Sequence, residues 1–91
     1  MGKQRRPQPK LLPTKLRSIR QRLGLSKAQM LRALRLPWDC QDARISEYES
    51  GTREPNLIVL LHYSKVTRVP INDLVDDVLE VDDLEVTSSA L

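Results

Sequence analysis

The chain has 91 residues, with 15 Lys or Arg against 12 Asp or Glu, a net charge of +3, and a single cysteine. That length holds one small domain, whose core removes about 60% of the unfolded chain's surface from water. No run of ~18 apolar residues is present, so no membrane-spanning helix is expected, and one cysteine excludes an internal disulfide and fits a reducing cytoplasm.

The charges are sorted along the chain. Residues 1–35 hold eleven Lys or Arg and no acid, and residues 73–85 hold seven Asp or Glu and no base. A cationic block of this kind is an electrostatic footprint for phosphate, or else a solvated basic surface. Residues 1–12 are too rich in proline and charge to pack and read as a flexible basic arm. Its Lys3, Arg5, Arg6 and Lys10 either track phosphates or only aid solubility. No apolar signal core follows, so export is not expected. Met1-Gly2 starts like a myristoylation site, but Arg6 stands where Ser or Thr is needed.

A first helix is predicted over 14–23, with Leu16, Ile19 and Leu23 on one face and Gly24 ending it. Arg17 and Arg22 are expected in solvent. Ser26 is a good N-cap for a second helix whose apolar residues are Met30, Leu31 and Leu34. The free N–H groups and positive dipole end at Ser26 and Lys27 form a ready anion site. Pro37 stops this helix. Trp38, the one tryptophan in a chain without phenylalanine, either packs over the joint or contacts DNA or a partner. A third helix begins near 39–41, with Asp39 or Asp42 as its cap. Ile45 and Tyr48 point inward, and Gly51 takes the left-handed position at the far end. The outer face carries Gln41, Asp42, Ala43, Arg44, Ser46, Glu47 and Ser50.

Asn56 caps a fourth helix. Leu57, Leu60, Leu61 and Ser64 form its expected buried face, which leaves Ile58, Val59 and Tyr63 as exposed apolar groups suited to self-association. A last short helix fits Pro70 to Asp76 or Asp77, with Ile71, Leu74 and Val75 inward. Residues 78–91 read as an acidic tail, an edge strand or a dimer strand. As a tail they could compete with DNA for the basic half.

Two short helices joined by a turn, the second polar outside, is the layout of a helix-turn-helix. The string I-S-x-Y-E-x-G-x-R-x-P, made by Ile45, Ser46, Tyr48, Glu49, Gly51, Arg53 and Pro55, resembles the phage-repressor and Cro type, the XRE family. So does the lead-in L-R-x-x-R-x-x-x-G-L-S from Leu16 to Ser26. The resemblance covers roughly residues 14–75. It departs at the joint between the second and third helices, which is several residues longer than the usual pattern.

The resemblance implies an all-α, five-helix lambda-repressor-like domain over 13–77, between the arm and the tail. It implies a semi-buried salt bridge between Arg20 and Glu49, which makes both structural. It sets Ser26 and Lys27 against the DNA backbone, with Gln29 a weaker candidate, and adds Ser46 and Arg53 as phosphate contacts that position without reading sequence. Base contacts fall to Gln41, Asp42, Ala43, Arg44 and Glu47 in the major groove. Arg44 is the best guanine reader, able to discriminate by about 1–3 kcal/mol. The acids Asp42 and Glu47 run against the expected charge. A carboxylate there accepts from cytosine N4, orients Arg44 three residues away, or signals weak DNA binding.

Catalysis is excluded by inventory. One His, one Cys and no glycine-rich loop leave no triad, metal cluster or phosphate cradle. His62 reads as a surface or packing residue, no cofactor or metal is expected, and there is no room for a ligand-sensing domain. The expected function is a sequence-specific transcriptional regulator of double-stranded DNA, a homodimeric cytoplasmic repressor acting by operator occupancy. The alternatives are an antitoxin-like protein that binds its operator and a toxin, and a protein-interaction module that has lost DNA binding.

Overall fold

Five helices follow one another in the computed structural model, which describes residues 9–86. They are α1 (Leu12–Arg22), α2 (Lys27–Leu34), α3 (Asp42–Ser50), α4 (Leu57–Thr67) and α5 (Ile71–Val75), followed by a 3-10 turn at Val81–Asp83. No strand occurs among the described residues. The fold is all-α, as expected. Lys3, Arg5 and Arg6 of the arm, and the last five residues of the tail, lie outside the described residues.

The helix ends are satisfied locally where the sequence offers a cap. Ser26 Oγ accepts from the Gln29 N–H at 3.1 Å, and Gln29 Oε1 accepts from the Ser26 N–H at 2.8 Å, a reciprocal capping box. Asn56 Oδ1 accepts from the Val59 N–H at 2.9 Å. Gly51 ends α3 at φ +83°, and a Cβ there would also meet the Pro13 ring at 3.4 Å.

Three boundaries differ from expectation. Helix α1 starts at Leu12, two residues early, because Pro13 fits a first helical turn and Leu12 is buried by it. Helix α3 starts at Asp42 behind Gln41, whose side chain makes no capping bond; neither Asp39 nor Asp42 serves as the cap. Beyond residue 77 the chain forms the 3-10 turn and lays Leu84 against the core.

Helix α1 packs on α3 and α5, and α2 packs on α3 and α4. Leu16, Ile19, Met30, Ile45, Val59, Tyr63 and Leu74 are fully buried between them. The face of α4 is rotated from the expected one. Val59, Leu60, Tyr63 and Val66 are buried, whereas Leu57, Ile58 and Leu61 are exposed. The run Leu57–Leu61 is apolar all round, so spacing alone does not choose its inner side; Tyr63 and Val66, one turn apart, do. Val75, expected inward, is exposed.

The Tyr63 hydroxyl is buried without a hydrogen-bond partner among the described residues, and burial pushes its phenol far above the usual range. Tyr63→Phe removes that unpaired group and keeps the ring. Its urea midpoint is expected to rise, by about 1 kcal/mol of stability.

Helices α1 and α5 cap each other across the fold. The Asp77 carboxylate accepts from the Lys10 and Leu11 N–H groups, both at 2.9 Å, at an α1 start that has no cap of its own. In return, Lys15 Nζ donates to the Asp73 carbonyl at 2.7 Å and the Asp76 carbonyl at 2.6 Å, at the end of α5. Arg22, exposed as expected, also donates to the Leu84 and Val81 carbonyls at 2.7 and 2.8 Å. This last pair of bonds ties the segment after α5 back to α1.

The two backbone donors hold the Asp77 carboxyl below its ordinary value. A depressed carboxyl stabilises the fold above its unfolded pKa, and that contribution is lost as pH falls through the lower folded value. Melting temperature should therefore fall on acidification below about pH 4. The acid-side slope should be shallower in Asp77→Asn.

Candidate nucleic-acid interface

The outer face is built from three elements: the start of α2, the exposed side of α3, and the loop from α3 to α4. Arg20 fixes their relative placement. Its Nε and Nη2 donate to Glu49 Oε2 and Oε1 at 2.7 and 3.0 Å, and its Nη1 donates to the Leu25 carbonyl at 2.9 Å. The Glu49 side chain is 4% exposed. The hydrogen bond to Glu49 raises the guanidinium above its ordinary pKa, so Arg20 stays charged. This bidentate bridge joins α1 to α3 and also holds the turn before α2, and both residues are structural.

Around that bridge lies a cleft lined by Arg17, Arg20, Lys27, Ser46, Glu49 and Ser50. It brings together three candidates from three elements: Lys27 at the α2 start, Ser46 on α3, and Arg17 on α1. Arg17 was expected only to face solvent. Its place in the cleft was available from its spacing, since Arg17 and Arg20 are three apart on one helix face. Ser26 is exposed at the edge, with its hydroxyl oxygen committed to the capping box. Gln29, weighed as a phosphate contact, is held by the same box.

A second cleft opens where the long joint meets α3. Seven residues, 35–41, separate α2 from α3. They carry Trp38, Cys40 and Gln41 to a wall completed by Arg44, Tyr48 and Arg53. Trp38 is 41% exposed, so it does not bury itself over the joint. Burial pushes the Tyr48 phenol up, which keeps it neutral. The joint is anchored at its start by Arg35, a non-glycine residue in the left-handed region at φ 51°, and by His62, whose Nδ1 lies 2.7 Å from the Leu34 carbonyl.

Gln41 at the N-cap and Asp42 and Ala43 on the first turn of α3 are exposed, and Arg44 and Glu47, three residues apart on one face, stand half-exposed. Glu47 engages both nearby cations: its Oε1 lies 3.4 Å from Arg44 Nε and 3.1 Å from Arg53 Nε. Its carbonyl also accepts from the Arg53 N–H at 3.3 Å. The outer face thus presents Arg44 of α3 and Arg53 of the following loop already paired.

Fold and face together define a small all-α, helix-turn-helix-like domain with a long joint. Among the described residues no helix is long and apolar enough to cross a membrane. In comparisons with protein-family models, curated proteins and solved structures, no family, protein or structure matches the chain.

Proposed function

We propose that the chain is a sequence-specific DNA-binding regulator of the phage-repressor type, acting in the cytoplasm as a homodimeric repressor by operator occupancy. One observation carries the reading. Cations from three helices and the loop after α3, Arg17, Lys27, Arg44 and Arg53, line two clefts on either side of one polar helix face. Phosphate contacts from Lys27, Ser46 and Arg53 would supply affinity, and α3 in the major groove would supply specificity. The exposed Leu57, Ile58 and Leu61 on α4 support a self-associating surface. The same surface suits an unlike protein partner, which is the second reading.

Selection of bound duplexes from a random-sequence library at roughly physiological salt tests the proposal. A palindrome should be enriched, and Arg44→Ala should relax one position in each half-site by about 1–3 kcal/mol of discrimination. Failure to enrich any sequence would overturn the reading and favour a protein partner.

A further inference from the structure

Two guanidiniums from different elements converge on a single carboxylate oxygen, Glu47 Oε1, on the outer face. Arg44 reaches it from one turn back on α3, and Arg53 reaches it from the loop beyond Gly51. The backbone is arranged for this meeting. The Glu47 carbonyl accepts from the Arg53 N–H at 3.3 Å and from the Ser50 and Thr52 hydroxyls at 3.2 and 3.4 Å, which folds the loop back over α3. All three charged side chains are between 38% and 51% exposed, so the cluster borders solvent. A two-arginine fork open to solvent is a phosphate site by its chemistry. Here a carboxylate of the same chain fills it.

We infer that Arg44 and Arg53 form a DNA-binding fork whose resident occupant is Glu47, an internal competitor that makes this residue a specificity determinant rather than a base reader. The inference rests on the DNA-binding reading. Half-exposed ion pairs are individually weak, worth about 0–1 kcal/mol, so an incoming ligand can replace Glu47. On a random duplex, Glu47 keeps the two arginines partly neutralised and repels the backbone, and non-specific affinity is held down. On a matched site, Arg44 exchanges the carboxylate for a guanine edge and Arg53 for a phosphate. Discrimination then comes from what Glu47 withholds elsewhere.

The test is binding of a random-sequence duplex to the native chain and to Glu47→Gln across a salt series. Glutamine keeps a hydrogen-bond acceptor of the same length at a solvent-facing position, and a matching thermal melt establishes that the variant is folded. Glu47→Gln should bind more tightly, with log K falling more steeply against log salt by about 0.9 for each arginine released. If the two proteins converge at 1 M salt, one released arginine corresponds to about eightfold tighter binding at 0.1 M. Arg53→Ala should remove one arginine's share of that gain in the Glu47→Gln background and change little in the native one. Equal slopes for native and Glu47→Gln, with both bound, would overturn the inference and leave the DNA-binding reading standing. Failure of both proteins to bind at any salt would overturn the two together. Binding by Glu47→Gln alone would support the inference.

Discussion

Glu49→Ala should unfold at a much lower urea concentration than the native protein, at a cost of about 3 kcal/mol, with Arg20→Ala close to it. The reason lies in what each truncation leaves behind. Glu49 is 4% exposed and Arg20 13%, so removing either partner strands the other's charge in a poorly solvated seam. The bridge is bidentate, at 2.7 and 3.0 Å, which makes it one of the stronger charged contacts a protein forms. A small domain has total stability of about 5 kcal/mol, so either variant should lose more than half of it. Replacing both residues separates the mechanisms. Arg20→Met with Glu49→Leu leaves no stranded charge and should recover much of the loss, although the Leu25 carbonyl still lacks its donor. A double variant no more stable than either single one would mean that the guanidinium acts through Leu25 rather than through Glu49.

This bridge was expected only from the resemblance to the phage-repressor type, since 29 residues separate its partners, whereas the caps at Ser26, Asn56 and Gly51 were legible in the residues themselves. Local rules decide such features, and one stretch of chain carries all the information they need. The orientation of α4 was not legible for a physical reason. Leu57, Ile58, Val59, Leu60 and Leu61 offer an apolar group in every direction, and only packing against other elements selects Val59 and Tyr63 as the inner pair. The charges of α3 could be placed on its outer face from sequence, and the spacing of Arg44 and Glu47 offered their pairing, but the second partner of Glu47 could not be read. Arg53 meets Glu47 because the loop after Gly51 folds back, a matter of backbone path rather than periodicity. Trp38 shows the same limit, because an irregular joint has no repeat from which to read an inside and an outside.

The contacts between the two ends of the fold were the least visible, and the largest of them makes the second strong prediction. Lys15→Met should cost about 3 kcal/mol, read as a shift in urea midpoint with an unchanged slope. Lys15 is 0% exposed, an unusual state for a lysine, and the sequence gives no sign of it because its partners are backbone carbonyls. Methionine is of comparable length and apolar, so it fills the same space without a cavity. The loss then measures the Asp73 carbonyl left without a donor, at about 1–3 kcal/mol, and one of two hydrogen bonds at the Asp76 carbonyl, which keeps the Leu79 N–H at 3.2 Å, at about 1 kcal/mol, less whatever water recovers. Asp77 continues to hold the start of α1, so the helices stay in register while the end of α5 loosens. Amide exchange should therefore quicken first in α5 and the 3-10 turn, before global unfolding. A midpoint within 0.5 kcal/mol of native, roughly the limit for a surface substitution, would show that solvent reaches these carbonyls and that the buried ammonium is dispensable.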